Sequence, residues 1–281
     1  MTERITEYRR GPWTFDVIDE GPADGDPVIL LHGFPQRASN WDRVARLLHE
    51  RGLRTIAPDQ RGYSPRARPR RRRDYRQSEL VADVVALIDE LGAQRVDVVG
   101  HDWGAAVAWT LAANHPGRVR TLTAISVPHP GAFLRAMPRG QILRSWYMLV
   151  FQLPWLPEKL LGAGMRRPGF AVRMGLPADH DDRLADIVDS GALNGALNWY
   201  RGMPIPDPAV RMRKVTVPTT YVWSDGDPAL GRAGARLCAS WVDAPYEFEA
   251  LTGANHWLPE NRPREVAEAI LGKVLSVDDA G

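Results

Sequence analysis

Cysteine is almost missing from this chain: Cys238 is the single one in 281 residues. That excludes an internal disulfide and a cysteine-built metal centre, and one thiol fits the reducing cytoplasm, the compartment expected here. Lysine is also scarce. Only Lys159, Lys214 and Lys273 stand among 36 basic residues, and the formal net charge is +2. The arginine bias reads as codon composition, and a balance this close to neutral neither requires nor excludes an anionic partner. Long apolar runs are lacking as well. The longest, Trp146 to Leu156, is interrupted by Gln152 and Pro154 and is too short to span a bilayer, so no membrane insertion is expected. Residues Met1 to Arg10 hold three arginines and no apolar stretch, which is not the pattern of a signal peptide. The basic run from Arg66 to Arg73 lacks interleaved aromatics. It reads as a solvated loop and predicts no nucleic-acid partner.

What the chain does have is 44% hydrophobic residues, ample for one domain with an insertion or for two small domains. Short apolar runs alternate with helical ones. Trp13–Ile18, Val28–Leu31, Thr55–Ala57, Val96–Val99 and Thr121–Ile125 read as strands. The continuous runs among them mark strands buried on both faces. Ser78 is expected to cap a helix through Glu79 to Leu91, ended by Gly92, and a second helix covers Ala105 to His115. This alternation predicts a mostly parallel sheet flanked by helices. From about Gly131 to Met212 the pattern is helical and proline-rich, with no strand run. Strand signals return at Thr219–Trp223 and Tyr246–Glu249, and a last helix is expected from Pro263 to Leu275. The expected organisation is a core of residues 1–130 and 213–281 with a helical cap inserted at 131–212.

The most informative segment is Gly100-His101-Asp102-Trp103-Gly104, between the Val96 strand and the Ala105 helix. Small residues flank one reactive side chain at a sharp strand-to-helix turn, the pattern of a nucleophile elbow. The nucleophile position holds aspartate. A carboxylate can displace a leaving group from saturated carbon and become an ester of the protein itself. Such a nucleophile requires a base, an acid that orients the base, and donors for an oxyanion. His256, in Gly253-Ala254-Asn255-His256-Trp257, follows the last strand. Asp227 follows the strand before it, with Asp225 as a nearby second candidate for the acid. His32-Gly33-Phe34-Pro35 follows the Val28 strand, where an oxyanion N–H would lie. Taken singly, each has a plainer reading: a turn aspartate, a solvent-exposed loop histidine, a tight glycine turn. His101 and His129 read as structural. The order nucleophile, acid, histidine at successive strand ends favours the joint reading.

These segments, with Asp59-Gln60-Arg61-Gly62-Tyr63-Ser64, resemble the epoxide hydrolases of the α/β-hydrolase fold, and the resemblance runs through nearly the whole chain. Two cap segments sharpen it. Trp146–Gln152 and Leu197–Arg201 are similar to the segments that carry the family's two epoxide-polarising tyrosines, and Tyr147 and Tyr200 fall on those positions. The resemblance implies attack by Asp102 on an epoxide carbon, protonation of the oxygen by Tyr147 and Tyr200, and ester hydrolysis by water activated by His256 and Asp227. The backbone N–H groups of Phe34 and Trp103 would hold the oxyanion. Phe34, Trp103, Phe151 and Trp199 would face a small apolar epoxide. No metal or cofactor is called for. Two positions depart from the pattern: Ser224 stands where glycine is usual, and Pro65 directly follows Ser64.

The nearest rival is a haloalkane or haloacid dehalogenase with the same Asp-His-Asp set. Phe34 occupies the place of a halide-binding Asn, and Trp103 the place of an Arg used by fluoroacetate dehalogenases, so the paired tyrosines favour the epoxide. A non-catalytic receptor for a small ligand would have no use for all five groups together. A homodimer is allowed, although no helix carries a long uninterrupted apolar face that demands one.

Overall fold

The computed structural model describes residues 3–278, so residues 1–2 and 279–281 of the expected core lie outside the described residues. Eight strands form one sheet: β1 (Glu7–Arg10), β2 (Trp13–Glu20), β3 (Pro27–Leu31), β4 (Arg54–Pro58), β5 (Val96–His101), β6 (Val119–Ile125), β7 (Thr219–Ser224) and β8 (Tyr246–Leu251). Their order is β1-β2-β4-β3-β5-β6-β7-β8. The β1/β2 and β2/β4 pairs are antiparallel, and every later pair is parallel. The fold class read from the sequence therefore holds. The first strand was not foreseen: Glu-Tyr-Arg-Arg carries one apolar residue, and it is Tyr8, stacked on Phe15 of β2, that ties this edge down.

The central strands read as unbroken apolar runs because each feeds two cores. Successive side chains of a strand point to opposite faces. Val28 and Leu30 enter a core shared with Trp41, Leu48 and Ile270, while Ile29 and Leu31 enter the other, shared with Leu87 and Trp109. Helix α1 (Asp42–His49) and the helix Pro263–Asp278 supply the first core. Helices α2 (Gln77–Glu90) and α3 (Trp103–Asn114) supply the second. Helix α2 starts two residues earlier than Ser78 implied. Ser78 does not cap it; its backbone N–H is bonded instead by the Asp207 carboxylate at 2.7 Å. Gly92 does take the left-handed conformation that ends the helix, at φ +60°.

Between Ile125 and Thr219 the described elements are helical. Two of these segments matter for the site: Tyr147–Val150 and Ala192–Gly202. The longer one is anchored by close backbone approach. A Cβ at Gly195 would lie 2.4 Å from the Gly62 carbonyl oxygen, and one at Gly202 would lie 2.7 Å from that of Tyr75. Trp199 adds a hydrogen bond from Nε1 to the Arg61 carbonyl at 2.7 Å. The Arg61 guanidinium is buried against Asp83, with two N–H···O contacts of 2.7 Å. The Gly62 loop is thereby a rigid seat for the helix that carries Tyr200. The shorter segment is tied to the same helix, because Gln152 Nε2 donates to the Tyr200 carbonyl at 2.7 Å and Arg201 Nε to that of Phe151 at 2.9 Å. Of the basic run Arg66–Arg73, Arg70–Arg73 are exposed as a solvated stretch should be, although Arg72 and Arg73 open a short 3-10 helix and Arg68 is half-buried against the Tyr63 and Ser190 carbonyls.

Candidate active site

Four parallel strands deliver the candidate groups to one edge of the sheet, the carboxyl edge, where open α/β sheets bind ligands. Phe34 follows β3, Asp102 follows β5, Asp227 follows β7 and His256 follows β8. Asp102 sits at φ +52°, ψ −120°, a left-handed conformation that costs a non-glycine residue about 1–3 kcal/mol. Hydrogen bonds hold it there: its N–H donates to the Ile125 carbonyl at 3.2 Å, and its own carbonyl accepts from Ala105 and Ala106. The neighbouring glycines have a steric reason. A Cβ at Gly100 would meet the Gly104 carbonyl oxygen at 2.3 Å, one at Gly104 would meet that of Leu31 at 2.1 Å, and one at Gly33 would meet the Asp102 Cβ at 2.4 Å.

The loop after β3 is braced from below. Burial pushes the His32 imidazole down to about 4, so it is neutral, with Nδ1 at 3.0 Å from the Gly33 carbonyl. Its Nε2 accepts from the Gln60 N–H at 3.1 Å, and Gln60 Nε2 donates back to the His32 carbonyl at 2.6 Å. Asp59 accepts from the Ala38 N–H at 2.8 Å and from Arg37 at 2.7 Å. The Asp59–Ser64 motif thus positions the loop rather than facing the cavity. Ser64 explains the second departure: its hydroxyl donates to the Asp59 carbonyl and accepts from the Asp16 N–H, holding the turn before Pro65. The result is a Phe34 N–H aimed at Asp102 Oδ1, 2.8 Å away. Trp103 opens α3, where the first backbone N–H groups have no intrahelical acceptor.

His256 lies between two carboxylates. Nδ1 is 2.7 Å from Asp227 Oδ2, and Nε2 is 3.6 Å from Asp102 Oδ2. Asp227, not Asp225, is its partner. The second oxygen of Asp227 accepts from the N–H groups of Ala229 and Leu230 at 2.8 and 2.9 Å. Asp225 is exposed and accepts from the Gly253 N–H. Ser224, the other departure, donates to the Asn255 carbonyl at 2.8 Å and stitches the end of β7 to the histidine loop. His101 Nε2 donates to the His256 carbonyl at 2.9 Å, and His129 Nδ1 accepts from the Gly131 N–H at the start of a helix, so both are structural. Burial opposes every charge here but does not win. It pushes the His256 imidazole down, yet Asp227 and Asp102 hold it well above the ordinary range. Burial pushes Asp102 and Asp227 up, and His256 holds both below the ordinary carboxylate value.

Asp102, Trp103, Tyr147, Trp199 and Tyr200 line one cavity of about 470 Å³. The Tyr147 and Tyr200 ring centroids are 6.1 Å apart, and Tyr200 lies edge-on to Trp103 at 5.0 Å and to Phe34 at 5.2 Å. Phe34 and Phe151 pack on the Tyr200 ring rather than lining that cavity. Burial first, then the negative charge of Asp102 among nearby groups, pushes both phenols above their usual range. Both stay protonated at any working pH.

Sequence reasoning missed the buried cluster behind this site. Gln36 Nε2 donates to Asn40 at 2.6 Å and to Glu260, which is itself buried. The available signal was an acid one helical turn after His256. Burial pushes the Glu260 carboxyl up to about 8 from 4.5. The folded chain therefore holds a proton that the unfolded chain releases across that interval, so this group's contribution to stability declines as pH rises from about 4.5 to about 8. Thermal melts across this range should show a steeper fall for the parent than for Glu260→Gln. Equal slopes would mean that Glu260 ionises normally.

A strained aspartate between strand and helix, with histidine and acid at later strand ends, is the arrangement of an α/β hydrolase. The family model of the alpha/beta hydrolase fold matches residues 26–170. The chain is 32% identical to epoxide hydrolase A of Mycobacterium tuberculosis, across 91% of this chain and 92% of that protein. It is 34% identical to epoxide hydrolase 3 of Xenopus tropicalis, across 91% of this chain and 73% of that protein. The structure of epoxide hydrolase A from Mycobacterium thermoresistibile superposes with a TM-score of 0.80 at 29% identity, covering 93% of this chain and 95% of that one. A point mutant of an epoxide hydrolase from Bacillus megaterium, complexed with its product (R)-3-[1]naphthyloxy-propane-1,2-diol, gives 0.81 at 25% identity, covering 93% and 97%. The protein belongs to the epoxide hydrolase family of the α/β-hydrolase fold.

Proposed function

We propose that this hydrolase converts an apolar epoxide to a vicinal diol through an alkyl ester on Asp102. The observation that carries the reading is one cavity lined by two phenols that are neutral at rest and by a carboxylate backed by a His256–Asp227 pair. Asp102 Oδ1 is engaged by the Phe34 N–H, which leaves Oδ2 as the attacking oxygen. As the Oδ2–carbon bond forms, the epoxide C–O bond breaks, and the alkoxide takes a proton donated by Tyr147 or Tyr200. Water then adds to Cγ of Asp102 while His256 accepts its proton. The negative charge collects on Oδ1, where the N–H groups of Phe34 and Trp103 stabilise it. Collapse breaks the ester Cγ–Oδ2 bond and releases the diol: the departing alkoxide takes the proton held by His256, and the second proton of the added water, left on the Asp102 carboxyl, passes to the tyrosinate, which restores both side chains. In this reading residues 131–212 act as the cap that carries both phenols, and no cofactor enters.

Single turnover of a simple aryl epoxide in oxygen-18 water tests the proposal. The label should enter the Asp102 carboxylate, and the first diol released should carry none of it. Label appearing directly in the diol would mean that water attacks the substrate carbon. Labelling of Asp102 by a haloalkane but by no epoxide would transfer the reading to a dehalogenase.

A further inference from the structure

An ordinary surface helix turns its apolar residues inward. The segment from Gln141 to Leu153 does the reverse. It runs as two short helices joined by helical hydrogen bonds, Ser145 N–H to Gln141 and Met148 N–H to Ser145. Positions 142, 146, 149 and 153 recur at helical spacing through the first helix, the turn after it, the second helix and the turn that follows. They are Ile142, Trp146, Leu149 and Leu153, and all are exposed: Trp146 is 64% and Leu149 75% accessible. Leu143 beside them is 78% accessible. The inward positions are polar or reach the cavity: Gln141 donates to the Ala229 carbonyl, Gln152 to that of Tyr200, and Tyr147 lines the cavity. A contiguous apolar face of this kind on a folded protein marks a surface that something covers.

The charge around it names the occupant. Arg139 is exposed at one end. The arginine run joins it at the other, since Arg72 Nη2 reaches the Gln152 carbonyl at 3.5 Å. Arg70, Arg71, Arg72 and Arg73 are exposed, and none is ion-paired with a carboxylate among the described residues. The segment's nearest acid, Glu158, is taken by Arg201 at 2.6 Å. A second copy of the same surface would bring one basic rim against another. An anionic lipid surface offers apolar depth for Trp146 and Leu149 and phosphates for the arginines.

We propose that this face docks the protein on anionic lipid bilayers, with the cavity mouth turned to the membrane. Exposed Leu134 and Met203 line that cavity, so an apolar substrate dissolved in lipid would enter without crossing water. The docking rests on the surface alone and is read without turnover, so it stands or falls separately from the epoxide reading.

The test is cosedimentation of the full chain with vesicles of phosphatidylcholine alone or with roughly a third phosphatidylglycerol. Binding to the anionic vesicles should exceed binding to the neutral ones by about tenfold or more and should weaken with added salt. The Trp146→Glu/Leu149→Glu chain should lose that binding while keeping its melting temperature and its activity on a water-soluble epoxide. Replacing Arg72 and Arg73 by Glu should remove the preference for anionic vesicles. No sedimentation with either vesicle overturns the proposal. So does a dimer in solution that Trp146→Glu/Leu149→Glu converts to monomer, because the face is then a contact between copies.

Discussion

A His256→Gln enzyme is expected to react with an epoxide once and then stop, with the substrate bound as an ester to Asp102. The attacking carboxylate and the two phenols are untouched, so the first step survives. Water activation is lost, and loss of a general base slows its step by about 10²–10⁴-fold. Mass analysis of the Asp102 peptide should therefore show a stoichiometric adduct of the substrate's mass. The experiment belongs at alkaline pH. Burial pushes Asp102 up, and His256 is what holds it down, so without the imidazole the carboxyl is protonated over a wider range. Full turnover without an adduct would refute the covalent mechanism.

The same electrostatics sets the pH dependence of the parent enzyme. In the resting site, burial is outweighed by Asp227 and Asp102, which keep His256 protonated well above its usual range. In the proposed mechanism, esterification removes the charge of Asp102, one of those two supports. The imidazole's affinity for its proton then falls, and His256 becomes a base only after the first step has run. Ester hydrolysis should accordingly quicken as pH rises until His256 is neutral, while formation of the ester, which needs only ionised Asp102 and neutral phenols, stays nearly flat.

Much of this was legible because the chemistry constrains the local chain. Gly100 and Gly104 are fixed by backbone contacts under 3 Å, and Gly33 by the Asp102 side chain at similar distance, so the elbow leaves a sequence mark. Val28–Leu31 and Val96–Val99 read as buried strands because both faces are packed. What stayed hidden depends on distant partners. Strand β1 exists through pairing with β2, not through its own composition. The choice between Asp225 and Asp227 turns on which carboxylate the β7 and β8 loops bring to His256. The bracing of His32 by Gln60 joins residues 28 positions apart, and Glu260 looks like any helical surface acid until Gln36 is packed over it. The same distinction separates Trp199 from Phe151: both are cap aromatics in sequence, but only the first is pinned to the Gly62 loop and lines the cavity.

The Tyr147→Phe/Tyr200→Phe double variant should show the largest loss that leaves the fold intact. Each ring keeps its packing, since Tyr200 rests on Phe34, Trp103 and Phe151 through its faces and edges. Melting temperatures should therefore stay close to the parent's. The hydroxyls are the only donors that the proposed mechanism offers to the epoxide oxygen, and a lost donor to developing oxyanion charge costs about 10²–10³-fold. One phenol can partly cover for the other, because the two rings are neighbours in one cavity, with centroids 6.1 Å apart. The single variants should each lose less than that range in kcat, and the double variant should lose about 10³-fold or more, a non-additivity expected of groups that act as a unit. The loss should fall on kcat more than on KM, since the phenols matter most once the oxygen carries charge. Halide needs no proton to leave, so release from a haloalkane would be largely spared in the same variant. Epoxide opening at the parent rate by the double variant would reduce both tyrosines to packing residues and return the choice between epoxide and halide to experiment.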